Sequence, residues 1–164
     1  MERKFIADAM LGRLARWLRV MGCDTAYCRE IDDADLVARA EREGRLILTR
    51  DTLLLRRRKA RGNSFFVEGD HFRDQLRQVV RAFGIDPEER FLSRCLECNV
   101  PLEEAGGERV ASLVPPYVRA TRERFRGCPS CGRMYWGGTH RERMVEELRE
   151  ILGPDCVDQP HTAR

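Results

Sequence analysis

Leu46-Ile47-Leu48-Thr49-Arg50-Asp51 is a compact apolar run that ends abruptly on charge. Four apolar or β-branched residues between turn signals read as a buried strand, Leu46–Thr49. Upstream, Asp33–Glu43 reads as a helix with Leu36, Val37 and Ala40 on its inner side and Gly44 as its stop. Downstream, Thr52–Lys59 reads as a helix, Ser64–Val67 as a strand, and His71–Phe83 as a helix turning Leu76, Val79, Val80 and Phe83 inward. The chain opens the same way, with strand Lys4–Ala7 ending at Asp8. Helix Met10–Met21 follows, with Leu11, Leu14, Leu18 and Met21 on one face and Arg13, Arg16 and Arg19 on another. Asp24–Cys28 reads as a short second strand. Strands alternating with helices over short connections argue for an α/β fold, a parallel sheet covered by helices on both faces. Ligands of such sheets gather outside the carboxyl ends of the strands.

From about residue 90 the helical period fades, and paired cysteines, Gly106-Gly107 and Pro115-Pro116 appear. The expected division is therefore 1–90 as the α/β domain, 91–153 as a small module with a closing helix Thr139–Leu152, and 154–164 as a tail. Four of the seven cysteines form two CxxC pairs, Cys95/Cys98 and Cys128/Cys131, separated by 29 residues. Each pair can aim two thiolates from one tight turn, and two pairs supply the tetrahedral sulfur set that zinc prefers. The expectation is a closed, structural Zn²⁺ ribbon that staples a segment too small for its own core, with a β-hairpin filling the gap between pairs. Cys23 and Cys28 read as small buried residues.

Charged residues make up 35% of the chain, yet the formal net charge is only +3. Residues 1–94 hold 20 Lys and Arg against 16 Asp and Glu, and Lys4 and Lys59 are the only lysines. Arginine suits phosphate because its planar fork binds two oxygens at once. Arg13, Arg16 and Arg19 form a stripe on the first helix, Arg50 adjoins Asp51, and Arg56-Arg57-Arg58-Lys59-Ala60-Arg61 packs five positive charges into six residues. These are phosphate candidates, chiefly Arg13, Arg16, Arg19, Arg50, Arg57 and Arg58, although surface ion pairing explains such charges equally well. Tyr135-Trp136-Gly137-Gly138-Thr139-His140 follows the second knuckle. Trp136 reads as locking the ribbon onto the body in preference to stacking an unpaired base, and His140 as a phosphate contact or leaving-group aid, or equally as a helix-start histidine with a local hydrogen bond. No apolar stretch reaches membrane-spanning length, and the charged start Met1-Glu2-Arg3-Lys4 lacks a signal peptide's apolar region. A cytoplasmic protein with no membrane partner is expected.

Asp8 and Asp51 follow separate strands, and Asp33 begins a helix between them. Carboxylates converging at strand ends hold Mg²⁺ or Mn²⁺, which activates water and offsets charge on a scissile phosphate. Each acid taken alone is better explained as a helix cap, and their joint placement after separate strands is what raises the functional reading. Asp70 reads as the cap of the helix at His71.

The run Phe5-Ile6-Ala7-Asp8, Gly12-Arg13-Leu14-Ala15-Arg16-Trp17-Leu18-Arg19, Asp33-Ala34-Asp35-Leu36-Val37-Ala38-Arg39-Ala40 and Leu48-Thr49-Arg50-Asp51 resembles PIN-like ribonucleases. With Cys95-Leu96-Glu97-Cys98-Asn99 and Cys128-Pro129-Ser130-Cys131-Gly132-Arg133-Met134-Tyr135-Trp136, it more closely resembles the C-terminal RNase domain of the Mut-seven exonuclease family, over about residues 4–152. The resemblance implies a PIN-like three-layer α/β/α fold with a C-terminal zinc ribbon and divalent-metal-dependent ribonuclease activity on RNA. It places Asp8, Asp33 and Asp51 on the family's catalytic acids. PIN nucleases carry a further acid between the first two; here Asp24 and Glu30 occupy that stretch, neither in register. A non-catalytic RNA-binding or adaptor module is the alternative.

Overall fold

The computed structural model of the chain describes residues 3–153, so Cys156 and the expected tail lie outside the described residues. Strands β1 (Phe5–Ala7), β2 (Thr25–Tyr27), β3 (Leu46–Thr49) and β4 (Ser64–Phe66) form one parallel sheet in the order β2-β1-β3-β4. Phe5 lies opposite Leu46, Ile6 opposite Ile47, and Ala7 opposite Leu48. Successive strand residues point to opposite faces, and the burial follows that alternation. Phe5, Ala7 and Leu48 meet helices α1 (Gly12–Val20) and α4 (Phe72–Phe83), while Ile6 and Ile47 meet α2 (Asp33–Glu43) and α3 (Thr52–Arg56). The molecule is thus the three-layer α/β/α sandwich that the alternation foretold.

Two helices differ from their expected bounds. The chain after Asp8 makes a 3₁₀ turn at Ala9–Leu11 before α1 starts at Gly12, because the Asp8 carboxylate accepts from the Ala9 amide. Helix α3 stops at Arg56 rather than Lys59; Arg57 turns extended, and the following turn buries Ala60 beneath the sheet. Continuing the helix would stack like charges one turn apart.

The second segment holds an antiparallel sheet of β5 (Glu103–Ala105), β6 (Phe125–Gly127) and β7 (Met134–Trp136). β5 and β6 do pair as a hairpin would, but helices α5 (Gly107–Leu113) and α6 (Pro116–Thr121) fill the connection. Pro115 and Pro116 separate them, since proline suits a helix's first turn but not its interior. Val110, Val114 and Val118 bury themselves against Phe125, Met134 and Trp136. The ribbon therefore has a small core of its own, and Trp136 belongs to it rather than to the junction. Tyr135, one residue away and on the opposite strand face, turns instead toward Trp17, Val20 and Leu96. Helix α7 (Thr139–Leu152) then returns to the body and packs Leu148, Ile151 and Leu152 with α1 and α4.

Body and ribbon are joined by buried polar contacts. Asn99 sits at φ +64°, its side-chain oxygen accepting from the Thr25 amide at 2.9 Å and its side-chain nitrogen donating to Asp24 at 2.6 Å. Asp24 also takes a 2.6 Å bond from Arg45, with Arg94 at 3.9 Å. Burial raises the Asp24 pKa, but the bonds from Arg45 and Asn99 and the two guanidinium charges outweigh it, and the net direction is down. Removing one partner of a buried pair leaves the other uncompensated. Asp24→Ala is expected to cost about 2–4 kcal/mol in chemical denaturation. A depressed carboxyl pKa stabilises the fold fully above its unfolded value near 3.9, and that stability fades as pH falls through the lower folded value. The wild-type advantage over the variant should therefore vanish in acid; a gap unchanged at low pH would contradict the charge role.

Candidate active site and metal centre

The carboxyl edge of the sheet carries Asp8 after β1, Asp33 after β2 and Asp51 after β3. Asp8 is buried, one oxygen accepting from the Ala9 amide at 2.6 Å and the other from the Thr49 hydroxyl at 2.7 Å. The same Thr49 oxygen accepts from the Asp51 amide at 2.9 Å, so one hydroxyl ties the two strand ends together. Asp51 caps α3 through the Leu53 amide at 2.7 Å. Asp33 is not a cap; Asp32 takes that role through the Asp35 amide, and Asp33 pairs with Arg57 at 3.0 Å. Among the described residues, the four cysteines are the group of three or more His, Cys, Asp or Glu placed to hold a metal ion, and Asp8, Asp33 and Asp51 form no such group. Asp8 and Asp51 are brought together; Asp33 shares their edge but engages the basic run. Asp24 lies before β2, at the opposite end of the sheet, while Glu30 sits in the turn that follows β2.

The arginine expectations divide. Arg19 is corrected outright: it is 7% exposed, donating to the carbonyls of Thr25 at 2.8 Å, Leu96 at 2.8 Å and Glu97 at 2.9 Å. It bolts α1 to the first knuckle through Nε and one terminal nitrogen, and its burial sets it apart from the exposed Arg13 and Arg16. Arg16 leans the same way, pairing with Glu97 at 3.2 Å. Arg13 is exposed and lies over the Phe72 ring, 4.8 Å from its centroid. Arg50 pairs with Asp70, which does not cap α4. Arg57 holds Asp33, and Arg58 stands exposed beside it. His140 is exposed on the first turn of α7, with no bond to the three acids among the described residues. Cys28 is exposed, not buried.

The four ribbon sulfurs all lie within 4.8 Å of one another. Tetrahedral zinc with bonds of about 2.3 Å sets neighbouring sulfurs about 3.8 Å apart, and Cys95 and Cys131 sit at 3.7 Å. The two knuckles share one geometry. The Cys98 amide approaches the Cys95 sulfur at 3.4 Å, and the Cys131 amide approaches Cys128 at 3.4 Å. Each turn closes on a left-handed residue, Asn99 at φ +64° and Gly132 at φ +76°. Burial opposes ionisation of Cys95, yet the Tyr135 hydroxyl and the amides of Cys98 and Glu97 draw its pKa down to about 6. Hydrogen bonding with Cys131 pushes Cys98 up to about 11. The donor set fits a structural zinc ion.

Two residues of the site escaped the sequence reading. Thr49 is fully buried, and only its pairing with Asp8 shows why a hydroxyl stands there. Tyr27 donates to the Ala9 carbonyl at 2.8 Å, fixing the turn after Asp8. A Cβ on Gly12 would lie 2.7 Å from the Tyr27 oxygen, so the glycine makes room for it. A threonine closing the apolar run two residues before Asp51 was the one legible signal.

A three-layer parallel sandwich with acids along its carboxyl edge and a four-cysteine ribbon defines a class of small site-bearing α/β domains. Residues 3–148 match the family model described as Mut7-C RNAse domain, and the chain belongs to that family. No curated protein matches the chain, and no solved structure matches it either. Its function is accordingly of ribonuclease type. Among the described residues, no helix is long and apolar enough to cross a membrane.

Proposed function

We propose that the chain hydrolyses RNA phosphodiester bonds with a divalent cation held by Asp8 and Asp51. The supporting observation is the Thr49 bridge, which holds two carboxylate-bearing strand ends beside each other at the sheet's carboxyl edge. Oxygen-only donors suit Mg²⁺ or Mn²⁺, and Mg²⁺ commonly takes one or two carboxylates, keeps several waters and borrows substrate phosphate oxygens. A third carboxylate in the inner set is therefore not required. Bound there, the ion would lower the pKa of a water and offset charge on the phosphate. Asp8, with both oxygens already oriented, is the fixed ligand; Asp51 is more accessible and faces the strand. Asp33 positions Arg57 for the RNA backbone. The ribbon holds structural Zn²⁺ and lies beside α1, extending the basic surface. Thiolate ligation of this kind belongs to a reducing, cytoplasmic setting.

The engagement of Asp33 by Arg57, away from the Thr49 bridge, favours one competing reading, an RNA-binding module without catalysis. Labelled single-stranded RNA incubated with the purified protein separates the two. Cleavage is expected with Mn²⁺ or Mg²⁺, is lost in chelator, and returns on adding the ion back. Asp51→Asn, prepared identically, controls for contaminating nuclease. Cleavage equal in wild type and Asp51→Asn would remove the enzyme reading.

A further inference from the structure

A recess opens on the same sheet edge. It is a cavity of about 180 Å³ between the turn after β1, the end of β3 and the start of α4. Arg13, Arg50, Asp70, His71 and Phe72 line it. Its volume is well below the roughly 300 Å³ at which pockets for drug-sized ligands begin. That excludes a whole nucleoside and leaves room for a group the size of phosphate.

The lining is positive and incompletely satisfied. The Arg50 Nε is buried and has no hydrogen-bond partner among the described residues. A buried donor left unpaired is costly, and such a group calls for an explanation. The other end of the guanidinium meets Asp70, whose side chain is 85% exposed. Arg13 lines the recess with its guanidinium carbon 4.8 Å from the centre of the Phe72 ring. Phe72 is in turn backed by Trp17, with ring planes 16° apart. A guanidinium held over a ring by cation–π attraction keeps N–H donors for an acceptor. No side chain caps the twelve-residue α4, whose N-terminus forms one wall. An uncapped helix start adds partial positive charge and amide donors.

We infer that this recess binds a phosphate group of the RNA strand next to the Asp8–Asp51 site, gripped by Arg13 and Arg50, and that Asp70 is a removable stand-in for that phosphate. The assignment rests on the proposed ribonuclease function for its RNA. Arg50 lies in sequence between Thr49 and Asp51, so a phosphate it holds lies within one arginine side chain's reach of the strand end that carries the acids. An exposed ion pair is weakly held. A phosphate brings the same acceptor chemistry with more oxygens and replaces Asp70 without leaving a buried charge unpaired.

RNA affinity is measured by fluorescence anisotropy in chelator, where cleavage does not intervene. Arg13→Gln and Arg50→Gln are each expected to weaken binding about tenfold or more. Each should also flatten the dependence of log affinity on log salt by about 0.7, the share of one single-strand phosphate contact. Asp70→Asn is expected to tighten binding a few fold, an effect that misfolding cannot mimic. Oligonucleotides ending in 5′-phosphate, 3′-phosphate or hydroxyl distinguish the source. Preference for one phosphorylated end identifies a terminal phosphate; equal binding, still lost in Arg50→Gln, identifies a backbone diester. Unchanged affinity in both arginine variants, or weakening by Asp70→Asn, overturns the assignment. If the binding results hold but no metal ever supports cleavage, the ribonuclease reading falls alone. If cleavage is present and binding is indifferent to these residues, the recess falls alone.

Discussion

Asp8→Asn is expected to lower the rate of RNA cleavage about a hundred- to a thousandfold while leaving the protein folded. The magnitude is that of removing one preorganised electrostatic group from a reacting phosphate or acyl centre. The substitution is isosteric. An asparagine oxygen still accepts from the Ala9 amide, and its nitrogen can donate to the Thr49 hydroxyl, so the turn after β1 keeps its bonds. What is lost is the negative charge, and with it the grip on a cation. RNA affinity in chelator should stay within about twofold, because no cation is there to lose. Single-turnover rates with Mn²⁺ across a concentration series check the point: a metal ligand shifts the requirement to higher Mn²⁺. A variant that cleaves at the wild-type rate and the wild-type metal concentration would take Asp8 out of the site. Thr49→Val tests the bridge itself, and a smaller loss of rate is expected, since it only orients the two acids.

Loss of the metal from the ribbon should be the largest effect on stability. Purified chain should carry one zinc per molecule, and Cys128→Ser should carry far less. Structural zinc contributes about 10–16 kcal/mol in small cysteine sites at neutral pH, far more than the three valines and their neighbours in the ribbon core can supply. Cys95 and Cys128 are the innermost ligands, both fully buried. The consequences reach the body, since Arg19, Asn99 and Tyr135 all bind the knuckle region to α1 and β2. Strong chelator should therefore abolish hydrogen-exchange protection from residue 95 to 136 first and destabilise α1 next. The pH dependence has a defined sign. Cys95, drawn down to about 6, is mostly thiolate at neutrality, whereas Cys98, at about 11, must surrender its proton when metal binds. Protons compete with zinc, so retention should weaken steadily as pH falls, and more steeply once Cys95 also takes up a proton. Protection of the ribbon that persists unchanged in metal-free protein would contradict a structural zinc.

Legibility from sequence varied with the range of the forces involved. The strands and the helices α2, α4 and α7 could be read closely because each is stated by short apolar periods and a glycine stop. The two helices inside the ribbon could not. Gly107–Leu113 and Pro116–Thr121 are too short to show a period, and their only shared signature is the valine series that meets Trp136. Asp8 and Asp51 were visible as acids ending apolar runs, since a strand's last residue must face the edge. Arg19 was misread because its neighbours Arg13 and Arg16 are exposed and helical spacing places all three near one another. Nothing local says that one of them meets three carbonyls of other segments.

Local pattern alone thus carried the strand–helix order, the three-layer stacking and the four-sulfur set. Each of these depends on residues a few positions apart, or on a ligand chemistry that two short motifs announce. The partner of every charge was settled only in three dimensions: Arg19 on the knuckle carbonyls, Asp33 on Arg57, Asp24 at the far end of the sheet, and Thr49 between two acids. A charged side chain binds whatever the fold brings within about 3 Å, and that distance is a property of the packed chain, not of its neighbours in sequence.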